Sequence, residues 1–230
     1  MATLTHFRLC PHSRSIRLAL AEAGIEPVLR DERPWERRPG FLDLNPAGNL
    51  PLLELPGSTL LCGVYAISEF IAEETAGVSE HPQKMQLFPG SREDRAEVRR
   101  LVDWFHGKLH GDVTQSFLSV KVYAQFHAET RAPDADLLRA LRASLRFHLS
   151  YVNFLGDQRR WLAGDDMSFA DLAAAAQLSV LDYLGEVPWE EFPLAKEWYV
   201  RLKSRRSFRP LLEDRLPGQP PPSAYSDLDF

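Results

Sequence analysis

The chain has few cysteines: Cys10 and Cys62 are the only two in its 230 residues. Two cysteines cannot form the disulfide framework of a small secreted protein, so we expect both to be reduced thiols. Long apolar runs are also lacking. The run Leu172 to Ala176 is far shorter than the roughly 20 residues that a membrane-spanning helix needs. We therefore expect no membrane insertion.

An excess of positive charge is lacking too, because the formal net charge is -5. A nucleic-acid-binding domain normally concentrates surplus Lys and Arg on one face, which excludes nucleic acid as a partner class. The amino-terminal residues MATLTHFRLC contain no basic segment followed by an apolar one. They are therefore not typical of a signal peptide, and we expect a cytoplasmic protein.

The residues that are present divide the chain into four regions. Residues 1–80 mix strand and helix patterns, whereas residues 91–212 have almost exclusively helical periodicity. Residues 81–90 contain the prolines and glycine of a linker, and residues 213–230 form a proline-rich extension. We predict an α/β domain followed by an all-α domain.

The first domain has the order β-α-β and then β-β-α, which is that of a thioredoxin-like domain. Its predicted strands cover 3–9, 27–30 and a hairpin over 52–61, and its predicted helices cover 13–23 and 64–74. The second domain has predicted helices over 91–118, 134–155, 169–183 and 193–204. Ser168 and Asp171 predict a reciprocal capping box at the third of these helices.

An ordered set of motifs resembles the glutathione transferase family over residues 1 to about 212. The set consists of Cys10-Pro11-His12-Ser13, Gly48-Asn49-Leu50-Pro51, Ala66-Ile67 and Ser168-Phe169-Ala170-Asp171. The resemblance implies the two-domain transferase fold. It also implies a cis peptide bond before Pro51, which lets Leu50 offer its backbone to a peptide ligand; the alternative is that Pro51 merely starts an edge strand.

By the same resemblance, Cys10 occupies the position from which these enzymes activate the ligand's sulfur. A thiol at a helix N-terminus is stabilised as thiolate, which makes Cys10 a candidate nucleophile. The alternative is a half-buried cysteine that packs as a small apolar residue. With Ser13 where a resolving cysteine would stand, a dithiol oxidoreductase is excluded.

The glutathione site departs from the family pattern at Gly63-Val64. In glutathione-binding relatives the residues before Ala-Ile are an acid or amide followed by serine, and they hold the γ-glutamyl end of the ligand. Glycine and valine cannot make those charge-assisted hydrogen bonds, each worth roughly 1.5 to 3 kcal/mol. We therefore interpret the ligand site, with Cys10, Ser13 and Leu50-Pro51, as vestigial, and expect no cofactor.

The C-terminal segment after the prolines is both acidic and aromatic. Its candidate partner-binding residues are Tyr225, Asp227, Leu228, Asp229 and Phe230, a composition typical of docking peptides. The segment either docks on its own chain or on a partner, or it is a frayed terminus. Trp35, among charges between Pro34 and Pro39, is a further candidate contact, unless it is buried against the first domain.

Two other groups of residues favour ordinary structural roles. Asp103, His106 and His110 share one helical face, but no clear further ligand is evident, and we predict no metal site. A basic run comprises Arg201, Lys203, Arg205, Arg206 and Arg209. It could meet an acidic partner or the chain's own acidic terminus, although most such runs are solvated.

Together, the transferase pattern, the disabled γ-glutamyl site and the terminal segment resemble the family's bacterial cell-division members. That resemblance implies a non-catalytic homodimer that binds the tubulin-like polymer FtsZ at the division site and organises its filaments. The alternative is a monothiol glutathione transferase or thiol reductase that uses Cys10 and glutathione.

Overall fold

A computed structural model describes residues 1–76, 85–126 and 134–228. Residues 81–84 of the predicted linker, and Asp229 and Phe230 of the predicted partner-binding set, lie outside the described residues. No helix in the described part of the chain is both long and apolar enough to cross a membrane.

The first domain is a four-stranded sheet with helices, as predicted. Its strands are β1 (Thr3–His6), β2 (Val28–Asp31), β3 (Leu52–Glu54) and β4 (Leu60–Cys62), and its long helices are α1 (Pro11–Glu22) and α3 (Val64–Thr75). The strand order is β2-β1-β3-β4, with β2 parallel to β1 and the other neighbours antiparallel. The fold class is confirmed.

The segment around Trp35 contains two short helical elements that were not predicted from the sequence. Pro34–Glu36 forms a 3₁₀ turn, and α2 covers Pro39–Leu44. Neither element was predicted from the sequence, because proline usually interrupts helices. At the first helical position, however, its missing N–H has no helical partner in any case, so the residue is tolerated there.

The second domain is helical. It contains α4 (Arg92–Asp103), π-helical turns (Trp104–Thr114), α5 (Gln115–Lys121), α6 (Ala135–Gln158), α7 (Phe169–Tyr183), α8 (Pro193–Lys203) and α9 (Arg209–Leu212). The prediction of a single helix over 91–118 was wrong in one respect, because π-helical turns separate α4 from α5. Short 3₁₀ turns cover Tyr123–Phe126, Trp189–Glu191, Arg206–Phe208 and Ser223–Ser226.

Helix α7 is the centre of the molecule, since every one of its residues is buried. It packs against α1 of the first domain and against the π-helical turns. The run Ala173–Ala176 allows close approach of neighbouring helices. The predicted capping box at its start is present, and the Ser168 amide donates to Asp171 Oδ2 at 2.9 Å. These contacts place the start of α1 at the junction of the two domains.

Candidate functional site

Cys10 is the N-cap residue of α1, and its amide donates to the carbonyl of Phe7 at 2.9 Å. Burial raises the pKa of its thiol, although hydrogen bonds from Ser13 and the His12 amide act in the opposite direction. The expectation of a stabilised thiolate was therefore wrong. Desolvation of the charged form outweighs the helix N-terminus at this position.

The backbone expected to bind a peptide ligand is in place. The Leu50–Pro51 peptide bond is cis, as predicted from the resemblance. The Pro51 carbonyl accepts a hydrogen bond from the Gly63 amide at 3.0 Å. The structure therefore brings Leu50-Pro51 and Gly63-Val64 together at one edge of the sheet.

The side chains at this edge give the ligand little to bind. Val64 is buried, and Gly63 has a φ of 88°, a conformation that favours glycine over any residue with a side chain. Gly63 forms no side-chain cap at the start of α3. What remains for an anionic ligand here is the set of backbone amides at the helix start.

An aromatic cluster joins the two domains next to Cys10. Trp35 stacks on Phe126 with ring centroids 5.1 Å apart, and lies 4.6 Å from Tyr123 and 4.9 Å from Phe7. Burial is the main cause of the raised pKa of Tyr123, and the electrostatic interaction with nearby Cys10 acts in the same direction. Of the two alternatives for Trp35, the structure therefore favours burial, against both domains rather than the first alone.

Tyr123 and Phe126 were missed in the sequence because their role depends on contacts with Trp35, far away in the chain. The one available signal was two aromatic residues directly after a predicted helix. Of the two, Tyr123 lies close enough to Cys10 for the two groups to interact electrostatically.

Three histidines meet where α1 crosses the π-helical turns. The His12 ring lies 4.6 Å from that of His106 and 4.5 Å from that of His110. His106 is fully enclosed between Ser15 Oγ at 3.0 Å and the Gln177 amide nitrogen at 3.2 Å. Because the Gln177 amide donates to Nδ1, the proton of neutral His106 resides on Nε2 and is donated to Ser15.

This cluster differs from the one considered in the sequence. Asp103 instead accepts a hydrogen bond from the Tyr65 hydroxyl at 3.3 Å, and His12 takes its place beside the other two histidines. In the part of the chain that the structure describes, no group of three or more His, Cys, Asp or Glu residues has the arrangement of a metal site. Burial lowers the pKa of all three imidazoles.

The C-terminal segment docks on its own chain, at least as far as Tyr225, which is 1% exposed. Its hydroxyl donates to the Leu211 carbonyl at 3.0 Å and accepts from Arg14 at 3.1 Å. This side chain is therefore not open to a partner. Asp227 and Leu228 are exposed, so they remain candidates for contact.

The residues of the basic run differ in whether they form ion pairs in the described part of the chain. Lys203 is buried beside Asp182 at 3.7 Å, and Arg205 forms a two-pronged ion pair with Glu22 at 2.7 Å. Arg206 and Arg209 have no ion pair within the described ranges. The sequence could not separate these roles because Glu22 and Asp182 lie far away in the chain.

The comparisons with known proteins agree with this geometry. The family model of the glutathione S-transferase N-terminal domain matches residues 9–74, and that of the C-terminal domain matches residues 113–206. The chain belongs to the glutathione S-transferase family.

Within that family, the chain is 46% identical over 231 residues to FtsZ-localized protein A of Caulobacter vibrioides, covering 99% of this chain and 98% of the relative. The solved structure of FzlA from C. crescentus matches with a TM-score of 0.93 at 44% identity, covering 100% of this chain and 99% of that one. A glutathione S-transferase from Sinorhizobium meliloti 1021 matches with a TM-score of 0.93 at 46% identity, with 100% of both chains covered.

Proposed function

We propose that this protein is a non-catalytic homodimer that binds FtsZ polymers and organises their filaments at the division site. The observation that carries the proposal is the 46% identity to FtsZ-localized protein A over 99% of the chain. A twofold dimer presents two copies of one surface, and can therefore bridge or bend neighbouring filaments by bivalent attachment.

The site supports a function without glutathione chemistry. Gly63 and Val64 offer no polar side chain to the γ-glutamyl end of the ligand, and burial holds the Cys10 thiol in its protonated form. Tyr123, whose ring lies 4.6 Å from that of Trp35, lies close to Cys10 from the helical domain. The missing polar side chains weaken ligand binding and the buried thiol weakens sulfur activation, which are two different requirements of the transferase reaction.

An exposed aromatic face on the helical domain supports the dimer. Phe147 and Phe154 of α6 are 57% and 58% exposed, and lie seven residues apart on the same side of the helix. Trp104 completes the face, with its ring 4.7 Å from that of Tyr151 and 6.2 Å from that of Phe147. Contiguous exposed aromatic surface of this kind is typical of an interface.

The dimer is tested by replacing both exposed phenylalanines, Phe147→Arg and Phe154→Arg, and measuring molar mass by light scattering. Two charges at the centre of an apolar interface should convert the dimer to a folded monomer. Leu137→Arg is the matched control, because Leu137 is also exposed on α6 but lies about 15 Å from Phe147 along the helix. An unchanged mass for the double variant would place the interface elsewhere.

Partner binding is tested by co-sedimentation with FtsZ polymers. The full-length chain should sediment with the polymer, and a chain that ends at Ser226 should do so much less, because it lacks the exposed Asp227 and Leu228. This truncation leaves the buried tyrosine in place, so unfolding does not explain the loss. Equal sedimentation of both chains would remove the terminal residues from the mechanism, and no sedimentation of either would refute FtsZ binding.

A second candidate is a monothiol glutathione transferase or thiol reductase that uses Cys10. The observation in its favour is that the His12 and Ser13 amides and the Ser13 hydroxyl all act to lower the Cys10 pKa. Turnover of an electrophilic aryl halide with glutathione separates the two functions. Activity that Cys10→Ala abolishes would establish this enzyme, and no activity in either protein would leave the binding function. Equal activity in both would show catalysis that does not use Cys10, and would contradict the non-catalytic proposal.

A further inference from the structure

A tyrosine of α7 forms hydrogen bonds that hold the chain after α9 against the helical domain. The Tyr183 hydroxyl donates to the Gln219 carbonyl at 2.7 Å and accepts from the Leu216 amide at 2.9 Å. Both ends of one turn in the extension are therefore held by a single side chain. The proline-rich segment between this turn and Ser223 is stiff, so its far end has little freedom.

Tyr225 anchors the C-terminal end of the proline-rich segment. Its ring is buried with its edge against the Tyr183 ring, at a centroid distance of 5.2 Å. Its hydroxyl donates to Leu211 and accepts from Arg14, as described above, so the buried phenol has both of its hydrogen-bonding roles filled. A buried aromatic side chain that is satisfied in this way is a strong attachment point.

The partner of Tyr225, Arg14, connects the extension to both domains. From α1 it donates to Ser179 of α7 at 2.8 Å and to Asp214 of the extension at 3.3 Å. Arg17, one turn further along α1, donates to the same Asp214 carboxylate at 2.7 Å. The position of the extension is thus fixed relative to the whole molecule and not only to the helix beneath it.

The charges under the extension also favour the docked position. The cations Arg14, Arg17 and Lys203 are buried there with the carboxylates of Asp182 and Asp214. Burial lowers the pKa of the Lys203 amine, whereas the charges of Asp182 and Asp227 raise it. The exposed Asp227, immediately after the Ser223–Ser226 turn that carries Tyr225, adds a weaker electrostatic attraction to this cluster.

We propose that Tyr225 is a positioning residue, a buried anchor that presents Leu228 to FtsZ from one fixed place on the body. The inference rests on the proposed binding of FtsZ. Leu228 is 40% exposed only three residues beyond the anchor. Because the chain up to Asp227 is already ordered, binding avoids most of the conformational entropy cost of immobilising a free peptide.

Two substitutions at the anchor test the proposal in the full-length chain. Tyr225→Ala should weaken co-sedimentation with FtsZ polymers about tenfold or more, since the free terminal segment must then be ordered on binding. It should also speed tryptic cleavage after the exposed Arg215. Tyr225→Phe keeps the ring and should restore most of both properties. Leu228→Ala should weaken co-sedimentation while cleavage after Arg215 stays as slow as in the unsubstituted chain.

A glycine insertion tests whether Tyr225 positions the terminal residues without altering the fold. It also tests the proposal if Tyr225→Ala does not fold. Two glycines between Ser226 and Asp227 leave the anchor in place but release the residues beyond it. We expect unchanged thermal stability and weaker FtsZ binding. Wild-type binding by this insertion variant, or by a folded Tyr225→Ala with a loosened extension, would overturn the proposal. If the chain truncated at Ser226 also bound FtsZ normally, the result would refute the contact between the terminal residues and FtsZ, and not only the anchoring role of Tyr225.

Discussion

At the scale of single residues, the proposed loss of glutathione chemistry rests on the burial of Cys10 and on Gly63 and Val64, which carry no polar side chain. The motif around Cys10 predicted its place at the start of α1, but not the sign of its pKa shift. That sign depends on burial by the folded structure, in which Tyr123 approaches Cys10 from the helical domain. Local sequence shows a helix N-terminus, whereas desolvation comes from the tertiary structure.

The burial of the Cys10 thiol should lower its reactivity. In a Cys62→Ser background, alkylation of Cys10 near neutral pH should be slower than in the urea-unfolded chain, because burial raises the thiol pKa and the thiolate is the reactive form. The rate should rise continuously as the pH increases through and beyond the ordinary thiol range of about 8.5. A rate that is already maximal at pH 7 would show a stabilised thiolate and contradict this account.

At the scale of elements, the start of α7 depends on one buried carboxylate. Asp171 was predicted from the sequence to complete a capping box with Ser168. The structure shows that it also accepts hydrogen bonds from the Leu162 amide and the Trp198 indole, each at 2.9 Å. The local half of this network could be predicted from spacing alone, but the contact with α8 could not, because it requires knowledge of how the helices pack.

Asp171→Asn should therefore destabilise the protein by about 3 kcal/mol, because an amide NH₂ would face donors that need an acceptor, and each buried donor left unpaired costs about 1–3 kcal/mol. Urea unfolding measures the change. Asp165→Asn is the matched control: Asp165 is exposed nearby, and its replacement should stay within about 0.5 kcal/mol. Equal effects at the two positions would contradict the role given to Asp171.

At the scale of the whole molecule, the sequence predicted both domains and their order but not how they are joined. The contacts between them include the Trp35 cluster, the three histidines and the Arg14 network, which join residues distant in the chain. The α2 helix was missed for a different reason, since Pro39 normally interrupts a helix unless it stands at the start.

The histidine junction makes domain packing sensitive to acid. Burial lowers the pKa of His110 to about 4, and lowers that of His12 and His106 as well, whereas the unfolded chain binds protons from about pH 6.5 downward. The free energy of unfolding should therefore fall as the pH drops from about 6.5 towards 4. The ion pairs of Glu97, whose pKa is lowered to about 2, stay intact over this window.

Urea unfolding of the full chain and of His110→Gln across this range isolates the junction. Glutamine cannot take up a proton, so the variant should show a shallower loss of stability on acidification. The slope that remains has contributions from the other histidines whose pKa values burial lowers, namely His12, His106, His6 and His148. Identical slopes in the two proteins would mean that His110 does not contribute.

The most direct test of the central claim is a calorimetric titration of the full-length protein with glutathione. A site that has lost two charge-assisted hydrogen bonds, each worth roughly 1.5 to 3 kcal/mol, should bind about a hundredfold more weakly than an intact one. We therefore predict no saturation up to about 1 mM ligand. Saturable binding at micromolar concentrations would show that the backbone at Leu50 and the start of α3 suffice to hold glutathione, and would contradict the account.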